Sequence, residues 1–226
     1  MGGRSEYVAG LSERLARQFD ALGIGSNVKA NVHSKQIRAL ISSDDAQRFE
    51  QGVVSLGTLL GFEAGKIEEE GSPDPWWQVD DELCFIFEAH SGATADKIGS
   101  GKSRQAALQG KFIREKLRLS ENASVTSILI SEGKPGSEAA SIYLDGTCLW
   151  SMSEFKKWAY ECLDMQSDLK KSYSNSPDLT WRAKAADMYM AVRIDPISFK
   201  SVVSRWPGRT RRAHTVGASR GFVNPV

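Results

Sequence analysis

Hydrophobic positions in this chain first fall into a helical rhythm. Between Tyr7 and Phe19 the apolar residues Val8, Leu11, Leu15 and Phe19 recur at three- and four-residue spacing, and Gly23 and Gly25 close the run. From Gly25 to Ile41 the pattern is less regular. Lys29, His33, Lys35 and Arg38 make it polar and basic, and Ile37, Leu40 and Ile41 then turn it apolar. Ser42-Ser43-Asp44-Asp45 is a cluster of capping residues. It predicts a helix that carries Phe49, Val53, Leu56, Leu59 and Leu60 and ends at Gly61.

Beyond this helix the rhythm shortens. Ile67 to Ser72 is acidic and turn-like, and Pro73-Asp74-Pro75-Trp76-Trp77-Gln78-Val79 reads as a short extended segment, because residues before proline avoid the α region. After an Asp80-Asp81 turn, Leu83-Cys84-Phe85-Ile86-Phe87-Glu88 is apolar on both faces and predicts a central strand. Ser91 to Gly101 reads as a small-residue loop, Ser103 to Leu119 as a helix, and Val125 to Ser131 as a β-branched strand. A turn at Glu132 to Glu138 and a strand at Ser141 to Leu144 follow. Ser151-Met152-Ser153-Glu154 caps a helix bearing Phe155, Trp158 and Leu163. Asp168 to Pro177 reads as a linker, and Leu179 to Val192 and Pro196 to Trp206 as helices.

This order predicts an α/β fold: a small mixed sheet flanked by helices, with a helical C-terminal segment. The chain divides into an N-terminal helical or irregular segment (1–43), an α/β core (44–165), a helical C-terminal segment (166–206) and a basic tail (207–226). Its 226 residues suffice for one good core, and a net charge of +1 excludes a global basic field, so any nucleic-acid surface has to be local. Cys84, Cys148 and Cys162 are scattered and odd in number, which suits buried thiols in a reducing compartment. Met1-Gly2-Gly3-Arg4 is not followed by an apolar h-region, and no apolar run reaches the roughly 18 residues that span a bilayer. A soluble, cytoplasmic protein is expected.

The chemistry collects around the central strand. Hydrolysing a phosphodiester needs an in-line hydroxide and a counter-charge for the transition state, and Mg²⁺ or Mn²⁺ held by carboxylates supplies both. Asp74 before one strand and Glu88 at the end of the next can reach one metal if those strands pair, with the Ala89 carbonyl as a further hard oxygen ligand. His90 shares the face of Glu88 because strand side chains alternate with period two.

In these residues the chain resembles the PD-(D/E)XK nuclease superfamily, whose fold is restriction-endonuclease-like. Glu50 matches the acid on the family's first helix, Asp74 the Asp of the Pro-Asp pair, Glu88 the Glu of the E-x-K, and Gln105 the Gln on the following helix. The likeness covers roughly residues 44 to 158. It implies a metal-dependent nuclease with Asp74, Glu88, His90 and Gln105 as catalytic residues and Glu50, Asp74, Glu88 and Ala89 around Mg²⁺ or Mn²⁺. Lys97, Lys102 and Arg104 are the implied phosphate contacts. Leu59-Leu60-Gly61-Phe62 followed by Pro73-Asp74-Pro75-Trp76-Trp77 is also similar to nuclease domains found with helicases in bacterial anti-phage or DNA-processing systems. The implied partners are DNA or RNA, a helicase or other protein, and a second copy in a homodimer.

The family's lysine is replaced by His90, and this departure supports a second expectation. A nuclease-fold module that no longer cuts, and that binds DNA or a protein partner, would retain the same acids. Lys97 or Lys102 reaching back would instead restore the cation. Other residues have plainer readings. Trp76-Trp77 suits core and edge packing more than base stacking, and Gly99-Ser100-Gly101-Lys102-Ser103 lacks the first glycine of a phosphate loop, because position 96 is Asp. The arginines at 205, 209, 211, 212 and 220 read as a solvated end or a phosphate-backbone anchor.

Overall fold

The strand predicted from Leu83 is the axis of the sheet. The computed structural model describes residues 4–22, 27–67, 75–90, 97–98, 101, 110–135, 147–174, 178–195, 198–199 and 202–205. In chain order the elements are α1 (Arg4–Leu22), α2 (Asn27–Ser42), α3 (Ala46–Leu59), β1 (Glu63–Gly65), β2 (Trp76–Asp80), β3 (Leu83–His90), β4 (Lys97–Ile98), β5 (Ser124–Ser131), β6 (Lys134–Pro135), β7 (Cys148–Trp150), α4 (Met152–Lys171), α5 (Leu179–Ala191) and β8 (Ser204–Arg205). Residues 110–116 are also helical.

The main sheet has six strands in the order β1-β2-β3-β5-β7-β8, and β4 pairs with β6 in a separate ribbon. β1, β2 and β3 form an antiparallel meander, while β5 and β7 add parallel to β3. β3 thus has a neighbour on each edge and a covered surface on each face, which explains its unbroken apolar run.

The two faces can be read residue by residue. Phe85 and Phe87 of β3, Trp77 and Val79 of β2 and Ile128 and Ile130 of β5 belong to one large core with the buried residues of α1, α2, α3, α4 and α5. Cys84 and Ile86 point the other way, onto Ile113 and Leu117, the layer that the 110–116 helix supplies. Burial pushes the Cys84 thiol up to about 12 and the Cys162 thiol well above its ordinary range, so both remain protonated packing groups.

The capping predictions hold. The Asp45 carboxylate accepts from the Arg48 N–H at 2.8 Å at the start of α3, and the Ser151 Oγ accepts from the Glu154 N–H at 3.1 Å at the start of α4. Several boundaries need correction. The stretch from Gly25 contains a regular helix, α2, because Ile37 and Ile41 suffice to seat it against α3 and α4. The linker predicted from Asp168 begins inside α4, which continues to Lys171 since Leu169 is fully buried and Lys170 lies over the Phe19 and Tyr173 rings. Of the helix predicted over Pro196–Trp206, the described residues 198, 199 and 202 are helical, but the segment ends in β8, which pairs with β7. Lys97–Ile98, predicted as loop, and Lys134–Pro135, predicted as turn, pair as strands. The strand expected at Ser141–Leu144 lies outside the described residues.

Trp77 explains why Gly57 is glycine. Its indole N–H donates to the Val53 carbonyl at 3.0 Å, so the ring lies directly against α3. A Cβ on Gly57 would stand 2.2 Å from Trp77 Nε1. Gly57→Ala gains helix propensity worth about 1 kcal/mol, but overpacking a fixed aromatic costs roughly 1–3 kcal/mol or more. We expect a net loss of stability, seen as a lower urea midpoint. A midpoint equal to or above wild type would contradict this packing.

Candidate functional site

Glu88 is the one acidic side chain of β3, and it is 1% exposed. It occupies the face of Cys84 and Ile86, and its register neighbour on β5 is the buried Leu129. Placing a carboxyl group in such surroundings carries a desolvation cost that an apolar residue would avoid. Its place is also where open α/β sheets bind ligands, outside the carboxyl ends of parallel strands. His90 completes β3 opposite the buried Ser131 of β5, whose Oγ accepts from the Gly133 N–H at 2.9 Å.

The backbone directs a second group to this end. The Phe87 N–H donates to the Pro75 carbonyl at 2.8 Å, so the peptide groups of Phe85, Phe87 and Ala89 face the β2 edge and those of Ile86 and Glu88 face β5. The Ala89 carbonyl is therefore on the side from which β2 enters. Asp74 immediately precedes Pro75 in the chain and lies outside the described residues, as do Lys102, Arg104 and Gln105.

Glu50 comes from α3 and is almost buried, and its carboxylate is bound by Lys66, one residue past β1. Gly65 pairs with Trp76 and Trp76 with Ile86, so Lys66, Pro75 and Phe87 are each one step further toward the same end of the sheet. Glu50 thus reaches the end where Glu88 lies, already carrying a counter-ion. Lys66 was missed in the sequence because 16 residues separate it from Glu50, and only β1 brings the two together.

Lys97 is placed here as well. It is in register with Lys134 across the β4–β6 ribbon, and the adjacent Ile98 packs with Leu129, the register neighbour of Glu88. β4 follows β3, and β6 follows β5. The two chain segments that leave the carboxyl ends of these parallel strands therefore pair beside the buried acid. Lys134 has the same placement as Lys97, but no sequence signal marked it.

Oxygen donors such as Glu88, the Ala89 carbonyl and Asp74 suit a hard divalent cation. Among the described residues, no three His, Cys, Asp or Glu side chains come together as a metal-binding group. The described part of the site thus presents a buried carboxyl group, a carbonyl facing the β2 edge and one Glu–Lys pair.

A separate depression of about 280 Å³ at the opposite end of the sheet is lined by Glu6, Tyr7, Arg14 and Asp80–Glu82. Burial and the charges of Asp80, Glu82 and Glu6 raise the Tyr7 hydroxyl above its usual range. The Arg14 guanidinium is used structurally, donating to the Gly61 and Val79 carbonyls. Four carboxylates around this depression would repel a phosphate backbone.

No protein-family model, curated protein or solved structure matches this chain. Among the described residues, no helix is long and apolar enough to cross a membrane.

Proposed function

We propose that this chain is a metal-dependent phosphodiesterase that cleaves nucleic acid, with DNA as the first substrate to test, in a DNA-processing or anti-phage defence assembly. The observation that carries the reading is the buried Glu88 carboxyl group at the carboxyl end of the central parallel strand. The order of the elements adds support. The chain passes through a helix with an acid, α3, then enters β2 at Trp76, two residues after Asp74, then reaches Glu88 near the end of β3.

In this reading Glu88, Asp74 and the Ala89 carbonyl hold Mg²⁺ or Mn²⁺. The bound ion would supply a counter-charge for the transition state and a water of lowered pKa. His90, two residues beyond Glu88, has an imidazole able to take a proton from the attacking water near neutral pH. Gln105 orients the water or the phosphate. Lys97, Lys102 and Arg104 contact flanking phosphates without reading sequence.

Chelation is the simplest test. The purified full chain is expected to cut plasmid and linear duplex DNA with Mg²⁺ or Mn²⁺, to slow at least about 100-fold in EDTA, and to recover when metal is returned. Cutting that persists unchanged in EDTA would refute a metal-dependent site. The substitution of histidine for the family's lysine favours a second reading, a non-cutting DNA-binding module. DNA retained on the protein at low salt, with no cleavage under any metal, would support that reading instead.

A further inference from the structure

We infer that the indole N–H of Trp76 is the donor that orients the Asp74 carboxylate toward the metal, which makes Trp76 a positioning residue of the site as well as a packing residue. The inference rests on the phosphodiesterase reading and adds a residue to it.

The starting point is an orphaned donor. A buried N–H without an acceptor carries the full desolvation cost of its burial. Trp77, Trp158 and Trp181 avoid that cost, because their indole N–H groups donate to the carbonyls of Val53 at 3.0 Å, Val192 at 2.8 Å and Leu169 at 3.0 Å. Trp76 Nε1 is enclosed and, among the described residues, has no acceptor. Packing alone does not call for an indole here, since phenylalanine would place a ring in the same layer with no donor to satisfy.

The ring lies on the face of the sheet that carries Glu88. Trp76 is the register partner of Ile86 and packs in the layer of Cys84, Ile86 and Ile113. Glu88 is two residues past Ile86 on β3, so it shares that face and stands one diagonal from Trp76, roughly 7–8 Å between Cα atoms. On its other side Trp76 pairs with Gly65 of β1, and the indole occupies the space a side chain would need there. A Cβ on Gly65 would stand 2.8 Å from Trp76 Cζ2 and 3.4 Å from Nε1. The ring is thus laid over β1 with its N–H edge beside Gly65.

The acceptor follows from the chain. The pairing of β2 with β3 extends back to Pro75, whose carbonyl accepts from the Phe87 N–H at 2.8 Å. One further residue of the same ladder brings position 74 opposite Glu88, and positions 74 and 76 share a face because strand side chains alternate. A carboxylate there has Glu88 across the ladder and the Trp76 indole one step along its own strand. Carboxylates that ligate a cation are themselves hydrogen-bonded, and these outer donors set the ligand's orientation. An indole suits the task because it is neutral and donor-only, so it holds a carboxylate oxygen without competing with the cation.

Trp76→Phe and Asp74→Asn in the full chain test this, singly and together, with indole ¹⁵N–¹H spectra, calorimetry and thermal melting. The Trp76 indole resonance is the one absent from Trp76→Phe. In the wild type it is expected to move downfield and to exchange more slowly with solvent when Mg²⁺ is added. Trp76→Phe keeps a ring over Gly65 and should melt within about 4 °C of wild type, yet bind Mn²⁺ about tenfold more weakly, as for the loss of an outer donor. In the Asp74→Asn background, already weakened, adding Trp76→Phe should lower Mn²⁺ affinity by no more than about twofold, because the two residues act as one unit. A wild type that binds Mg²⁺ without moving the Trp76 resonance would overturn the assignment and leave the phosphodiesterase reading standing. So would wild-type Mn²⁺ affinity in folded Trp76→Phe, or an undiminished loss in the Asp74→Asn background. No binding of either ion by the wild type would sink that reading and the assignment with it.

Discussion

Glu88→Gln is expected to lower metal-dependent cleavage by at least about 100-fold, equivalent to roughly 3 kcal/mol of transition-state stabilisation. The side chain is buried at the carboxyl end of β3, and the substitution keeps its shape while replacing one carboxyl oxygen by an amide NH2, which donates and cannot ligate a cation. For that reason the fold should survive. A change of about 1 kcal/mol would move the melting midpoint of a chain this size by only about 2–4 °C. The comparison requires both measurements on the same preparation, because activity lost together with structure proves nothing about the site. Wild-type cleavage rates in a folded Glu88→Gln protein would remove Glu88 from the mechanism.

The largest effect on stability is expected from Trp77→Ala. Trp77 is fully buried and stands between the sheet and the helices, with ring centroids 5.2 Å from Phe62, 4.5 Å from Phe87 and 6.0 Å from Phe199. Truncation leaves a cavity that its aromatic neighbours cannot fill and removes the indole bond to the Val53 carbonyl. Large aromatic-to-alanine changes in cores cost about 3–5 kcal/mol, a major part of the 5–15 kcal/mol typical of a folded domain. The melting midpoint should fall by roughly 6–20 °C. A fall of less than about 2 °C would mean that the aromatic cluster is not the centre of the core.

These two residues also show what the sequence alone made legible. Trp77 was readable as core and Glu88 as a strand-end acid because both depend on local pattern, an unbroken apolar strand and an alternating neighbour. The helix capped by Asp45 and the one capped by Ser151 were legible for the same reason, since capping chemistry is carried by the residues themselves. β1 and β7 were not. Glu63-Ala64-Gly65 has no strand-forming residue, and its extended shape comes from pairing with β2. β8 lies in a segment with helical pattern and is a strand because β7 offers it an edge. In α2 the apolar signal is thin, with Val32 half exposed, and the helix is seated by Ile37 and Ile41.

The site divides along the same line. The order of Glu50, Asp74 and Glu88 could be read from the chain, but the partner of Glu50 could not, because Lys66 meets it only after α3 and β1 have folded back on each other. The acids were thus visible as a list, and the fold adds that Glu50 is paired with Lys66. The pairing of Lys97 with Lys134 is another product of topology, since it joins the segments that follow two different strands.

The most direct test is calorimetric titration of Mn²⁺ into the full chain and into Glu88→Gln, under identical buffer and salt. A divalent-ion site at the carboxyl end of β3 predicts saturable binding to the wild type that is lost, or weakened at least about tenfold, in the variant. Equal binding by both proteins, or none by the wild type, would contradict a metal site built on Glu88.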